Sequence, residues 1–204
     1  MPTGIEIAAL VATSVQASTE VIKTVLGVLT GARSVLIEID NNTPLALTRF
    51  AHHHDHGGFA ALPPLQIAPK AAVVFGSQDK AGSIGTGTEG SVSWAGDGLD
   101  MLVGWSNPFI GENSTNVGSN NSGLGGENAN RYLVLHQAGV GNAQAHMRFI
   151  LVIHPPYSLR QSLKEKGVPL KKPEDVFNTG MRALFPGVTN IRAILPNSTA
   201  VDLS

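Results

Sequence analysis

No cysteine occurs among the 204 residues, which excludes a disulfide scaffold, a cysteine-ligated zinc site and thiol catalysis. Aromatic residues are scarce at 5%, with only two Trp and two Tyr. Charge is low as well, 14% of residues, and it nearly balances at −1. The basic footprint of a nucleic-acid binder is therefore missing, and no nucleic-acid partner is expected. No apolar run reaches the ~18 uninterrupted residues of an ordinary transmembrane helix. The opening stretch Met1 to Glu6 shows no basic segment ahead of a short apolar core and cleavage site, so no secretory signal is visible. The G-x-S-x-G, H-E-x-x-H, P-loop and EF-hand patterns are absent, so nothing argues for an enzyme. What remains is a chain 42% hydrophobic with 23 Gly and 12 Pro, enough for one domain with an appendage. Such a chain buries about two-thirds of its unfolded surface.

The strongest periodic signal lies over residues 5–29. At 100° per residue Ile7, Leu10, Val11, Val15, Val21, Ile22, Val25, Leu26, Val28 and Leu29 share an arc of roughly 160°, which predicts one long amphipathic helix. Glu6, Gln16, Glu20 and Lys23 fall on the opposite side, and Ser14 and Ser18 interrupt the apolar arc. Gly31 is placed to end the helix. A helix of that length spans about 38 Å, longer than a bilayer core of about 30 Å.

From Ser34 the pattern changes to strands. Residues 34–40, 44–50, 70–76, 89–95, 99–106, 131–136 and 147–154 are short and rich in β-branched, aliphatic or aromatic side chains. Turn chemistry such as Asn41-Asn42, Gly57-Gly58 and Gly96-Asp97-Gly98 separates them. Short strands without helices between them predict a mainly β, antiparallel sandwich. The Gly/Asn/Ser-rich stretch 111–130 reads as a long exposed loop. After Pro155-Pro156 come seven of the fourteen basic residues, a short helix expected over 173–184 and a last strand over 190–195. The expected organisation is thus a helix at 1–30, a sandwich at 33–154 and a basic extension at 155–204 packed on it.

Two local motifs carry weak chemistry. Gly85-Thr-Gly87-Thr-Glu-Gly90 matches a dinucleotide-binding glycine pattern, but a strand follows where a helix is needed, so it reads as a glycine turn. His52-His53-His54-Asp55-His56 places His52, His54 and His56 at alternate positions, a weak set of Zn²⁺ or Cu²⁺ ligands if extended. Gly57-Gly58 favours reading it as an exposed, weakly metal-binding loop tip, with pH sensing as a further role. His136, His146 and His154 read as ordinary sheet histidines.

The order of elements resembles the actinoporins, the cysteine-free pore-forming cytolysins of sea anemones and their relatives. The carrying residues are Ile22-Lys-Thr-Val-Leu-Gly-Val-Leu29, Ser34-Val-Leu-Ile-Glu-Ile-Asp-Asn-Asn42, Pro63, Ala71-Ala-Val-Val-Phe-Gly-Ser-Gln-Asp-Lys80, Thr86-Gly-Thr-Glu-Gly90 and Trp105-Ser-Asn-Pro-Phe109. The likeness covers roughly 5–115 and, more loosely, the strand ending at His154. The glycine turn with Trp105 to Asn113 also looks loosely like the aegerolysins, another family of membrane-binding sandwiches.

The resemblance implies an actinoporin-like sandwich flanked by helices, monomeric in solution and free of cofactors. It implies a secreted protein that docks on a target-cell membrane, releases its N-terminal segment and assembles a homo-oligomeric, cation-preferring pore. Ile7, Leu10, Val11, Val15, Ile22, Val25, Leu26 and Leu29 would then meet lipid, with Glu6 and Glu20 facing the lumen. Ser106 and Pro108 match the family's phosphocholine-binding Ser-x-Pro, with Trp105, Phe109 and Tyr132 beside them in the expected headgroup site. The family's next aromatic pair falls on Asn113 and Ser114, so the implied partner is a membrane lipid, sphingolipid class included, or a membrane glycan. The alternative is a non-lytic lipid- or glycan-binding module with its helix permanently docked.

Overall fold

The computed structural model describes residues 15–83 and 85–153, together with the backbone of two short strands at 191–194 and 201–202. The expected helix residues Glu6, Ile7, Leu10 and Val11, His154 and the expected helix at 173–184 lie outside the described residues.

Two sheets form a sandwich. Ten strands belong to its main body: β1 (Ser34–Asn41), β2 (Leu47–His56), β3 (Gly58–Ala61), β4 (Gln66–Ile67), β5 (Ala71–Gln78), β6 (Thr88–Gly96), β7 (Leu99–Asn107), β8 (Ser114–Val117), β9 (Tyr132–Gln137) and β10 (Gln144–Ile153). Strands β11 (Ile191–Ile194) and β12 (Val201–Asp202) extend one edge. The seven-stranded sheet runs β12-β11-β9-β10-β1-β5-β3, and the five-stranded sheet runs β4-β2-β6-β7-β8. All ladders are antiparallel except β1 with β10, which run parallel with Ser34 opposite Gln144 and Asn41 opposite Leu151. A parallel neighbour needs a long crossover, and here the whole five-stranded sheet lies between the two strands in sequence.

The main core follows from strand alternation. Val35, Ile37 and Ile39 of β1 point inward against Phe75, Trp94 and Trp105, all essentially buried. The ring centroids of Phe75 lie 6.0 Å from Trp94 and 5.8 Å from Trp105, within the range of aromatic contact.

The helix is much shorter than periodicity predicts. Helix α1 covers Thr19–Val28, ten residues and about 15 Å. Ser18 is its N-cap, with its Oγ accepting from the Val21 amide at 3.3 Å, so the serine that interrupted the apolar arc is a helix start. Residues 15–17 precede the helix and hand their amides to the sheet: Val15 N–H donates to Asn42 Oδ1 and Ala17 N–H to Glu38 Oε1, both at 2.9 Å. Val25 and Leu29 are buried against Leu36, with Ile22 and Leu26 half-buried beside them, in a cluster separate from the main core. Val21 and Val28, on the same predicted arc, stay 47% and 48% exposed. At the far end Gln78 Oε1 accepts from the Thr30 and Gly31 amides at 2.8 and 3.0 Å.

Two further expectations need correction, and a third stands. The histidine cluster is part of β2, which runs on to His56, rather than a loop tip. The stretch 111–130 contains strand β8 and two short 3-10 turns, at Ser119–Asn121 and Ala129–Arg131, and so is not one exposed loop. The final strand expected at 190–195 corresponds to β11.

Helix α1 lies so close to β5 that a Cβ at Gly76 would sit 2.8 Å from Leu29 Cδ2 and 3.2 Å from Val25 Cγ1. Gly76→Val is therefore expected to lift the helix at a cost of about 1–3 kcal/mol, while valine suits the strand itself. Hydrogen exchange should show the amides of residues 21–29 losing protection, with the Trp94 and Trp105 emission unchanged. Unaltered protection would show that the helix is not seated on Gly76.

Candidate functional site

Four connections meet at one pole of the sandwich: 29–33 before β1, 79–87 between β5 and β6, 108–113 between β7 and β8, and 138–143 between β9 and β10. Hydrogen bonds tie them together. Arg33 Nη2 donates to Phe109 O at 3.0 Å, and its guanidinium carbon sits 4.9 Å from the Phe109 ring centroid, a cation–π contact. The Asp79 amide donates to Arg33 O and the Ser34 amide to Ala143 O, each at 2.9 Å. Asn113 Nδ2 bridges Gly139 O and Gly141 O at 2.8 and 2.9 Å, locking two loops to each other. Gly87 passes hard against Asn107 and Pro108, where a Cβ would lie 2.1 Å from Asn107 O.

On this tied framework stand large apolar side chains turned to solvent. Ile110 is 87% exposed, Val140 88% and Phe109 44%. Scattered exposed aliphatics are ordinary, but these three belong to two loops that Asn113 joins. Arg33 and Lys80 supply positive charge at the same end, Glu89 and Glu112 negative charge, and Asp79 a further carboxyl turned away from solvent, so the exposed pole is amphipathic and nearly neutral.

The expected headgroup residues divide. Ser106 and Pro108 sit at this pole, half-buried, with Ser106 Oγ donating to Glu89 Oε2 at 3.4 Å. Phe109 sits beside them. Trp105, one residue earlier on β7, points the other way and is 2% exposed in the core. Tyr132 is 6% exposed and pairs with Ile153, at the end of β10 remote from Gln144 and the pole. Neither ring can meet a headgroup beside Pro108 without unpacking, so both leave the candidate site. The residues that sequence reasoning missed are Arg33, Ile110, Asn113 and Val140. The signal for Ile110 and Val140 is an isolated apolar residue among turn formers; Asn113 closes the Trp105 to Asn113 motif, and nothing in the sequence marks Arg33.

The histidines are organised by β2. His52 and His54 occupy register positions opposite Val92 and Gly90, and both rings turn toward Phe59, with centroids 5.5 and 4.2 Å away. His54 Nε2 lies 2.9 Å from Ser77 Oγ, which contacts Thr88 Oγ1 at 2.5 Å. His53 faces elsewhere and meets Asp55 at 3.2 Å. A bulge then shifts the register, so that His56 comes opposite Glu89. His52, His54 and His56 therefore do not converge, and among the described residues no group of three or more His, Asp or Glu is placed to hold a metal ion. The weak metal site is corrected to a strand whose one inward imidazole seals the sandwich edge. The bulge also creates a cross-strand rung, His56–Glu89–Ser106–Ser114, that brings the histidine strand to the pole.

Burial lowers the pKa of His54, and the charges of His52 and His53 add to the effect against the pull of Asp55. A histidine lowered below its ordinary 6.5 in the folded chain stabilises the fold above that value and loses the contribution as pH falls toward the folded pKa. Denaturant titrations at pH 8 and pH 5 should therefore show the change in stability on acidification to be less favourable in the parent than in His54→Gln. The same change in the two proteins would remove His54 as a contributor.

No family model matches the chain, and no curated protein matches it. Among solved structures the chain is similar to that of the lipid binding protein Nakanori, with 16% sequence identity over 65% of this chain and 76% of that one. The TM-score of that superposition is 0.53. At this identity the likeness bears on architecture alone, and it agrees with the two-sheet sandwich of the actinoporin-like type expected from the sequence.

Proposed function

We propose that this protein binds lipid membranes through the pole built from residues 108–113 and 138–143. The observation that carries the reading is the pairing of Ile110 and Val140, almost fully exposed on loops that Asn113 ties together, next to the guanidinium of Arg33. Each aliphatic side chain gains about 1.5–3 kcal/mol when it leaves water, and a tied loop gives up little conformational freedom on docking. Arg33 suits a headgroup phosphate, and the near-neutral balance of Arg33, Lys80, Glu89 and Glu112 suits a zwitterionic surface better than a strongly anionic one. An aromatic choline cage is not supported, because Trp105 and Tyr132 are buried away from the pole. Sphingomyelin and ceramide phosphoethanolamine carry zwitterionic headgroups of this kind and fall within the proposed class. The sandwich shared with a lipid binding protein supports the same reading. The site of action proposed is the target-cell membrane, after secretion.

Pore formation by the N-terminal segment is the finer reading, and one observation favours it. Helix α1 rests on its own small apolar cluster, outside the main core, so it can leave without opening the sandwich. Among the described residues no helix is long and apolar enough to cross a membrane. A spanning helix therefore requires residues before Thr19 to join α1, with Glu20 toward the lumen and several copies lining it.

Cosedimentation with vesicles of phosphatidylcholine, alone and with sphingomyelin or anionic lipid, tests the first reading. Ile110→Glu with Val140→Glu should weaken binding at least tenfold, since one side chain is worth about 1.5 kcal/mol, with no change in thermal stability. Equal binding by parent and variant would overturn the pole assignment. Binding to immobilised glycans with none to any vesicle would favour the lectin-like alternative. Dye release in the same mixtures reads pore formation separately: binding without release would leave a lipid-binding module.

A further inference from the structure

The outer face of β1 carries an unusual load. Leu36 lies under helix α1, but the next two residues on that face are Glu38 and Asp40, 3% and 0% exposed. Residues 15–17 pass over them as a strap, anchored at Asn42 by the Val15 amide and at Glu38 by the Ala17 amide. Asp40 falls between those two anchors. From the neighbouring β10, His146 Nε2 reaches Glu38 Oε2 at 2.8 Å, and Arg148 Nε donates to Asp40 Oδ2 at 2.6 Å, with the guanidinium at ion-pair distance from Asp40 and 4.0 Å from Glu38. The other neighbour, β5, offers only Ala72 and Val74 at this level, and β9 offers Gln137 opposite Arg148. Among the described residues the strap itself adds no charge; the nearest charges on α1, Glu20 and Lys23, are exposed. Two carboxyls thus face one fixed cation and one histidine beneath a covering segment.

We propose that Glu38, Asp40, His146 and Arg148 form a charge latch that holds residues 15–18 against the seven-stranded sheet and releases them when both carboxyls are ionised together. One ionised carboxylate is balanced by Arg148, whereas a second would be buried without a counter-ion, and uncompensated buried charge is strongly disfavoured. Lifting the strap lets water in and removes the conflict. Burial, then the Glu38 charge, push the Asp40 carboxyl up to about 8 against the pull of Arg148. For Glu38 burial works the same way, but bonds from His146 and the Ala17 amide and the Arg148 charge outweigh it and hold the carboxyl below its usual value. The closed latch therefore carries a proton on Asp40 that the hydrated, open form gives up. The contribution of Asp40 to closure is full below its ordinary 3.8, declines as pH rises and is gone above about 8. Glu38 keeps its contribution down to pH values below its ordinary 4.5. The device is independent of lipid, and it sets when the N-terminal segment is free to move.

The absence of cysteine makes the test direct, since Gln16→Cys introduces a single exposed labelling site on the strap. A spin label there should be more strongly immobilised at pH 5 than at pH 9.5, with the loss of immobilisation complete by about pH 8. Asp40→Asn and Glu38→Gln each leave one carboxylate for Arg148, and in both the label should stay immobilised to pH 9.5. Arg148→Gln should move release to lower pH. Emission from the buried Trp94 and Trp105 must stay constant through the transition. A label equally mobile at both pH values, release at the same pH in Asp40→Asn, or core unfolding in step with release would each overturn the latch.

Discussion

Strand β1 is buried along its whole length on both faces, and the rest of the molecule is arranged around that fact. Its inner side chains, Val35, Ile37 and Ile39, form the centre of the sandwich. Its outer side chains, Leu36, Glu38 and Asp40, need cover of two kinds, apolar and polar. Helix α1 supplies the first over Leu36. The second comes from Arg148 and His146 on the parallel strand β10 and from the backbone amides of the strap. Such a doubly covered strand is expected where parallel pairing occurs, since both faces of a parallel ladder are usually enclosed.

This arrangement separates two surfaces. The pole is held by hydrogen bonds between loops and displays Ile110 and Val140, so it can meet lipid without rearranging. The outer face is held by one small apolar cluster and a set of charges, so it can open without disturbing the core. Thr30 and Gly31, fastened to Gln78, mark the junction between helix α1 and β1. In the proposed function, docking and release thus fall to different residues joined through β1.

Most strands were legible from short β-branched runs and turn chemistry, because burial on one face imposes its alternation on the sequence. What was not legible depended on distant partners. The apolar arc over residues 5–29 carries no sign that Glu38 and Asn42 capture the Ala17 and Val15 amides and force the helix to begin at Thr19. The histidine run looked like a loop tip because Gly57-Gly58 follows it, yet β2 stands beside the sandwich edge, where Phe59 and Ser77 can accommodate His52 and His54. Strand β8 was hidden because Ser114, Thr115 and Asn116 pair at an edge that needs little apolar cover. Of the residues expected at the headgroup site, Ser106, Pro108 and Phe109 lie together at the pole, whereas Trp105 and Tyr132 are buried away from it. The side a residue faces and the end of the strand it occupies are fixed by pairing, and spacing along one strand does not encode them.

Hydrogen exchange on protein bound to zwitterionic vesicles tests the central claim most directly, because it maps contact without altering a residue. The account predicts new protection at residues 106–113 and 138–143, with β1 and β10 protected equally in free and bound protein. Protection confined instead to the edge that carries Phe50, Leu62 and Leu65, which are also exposed, would contradict it.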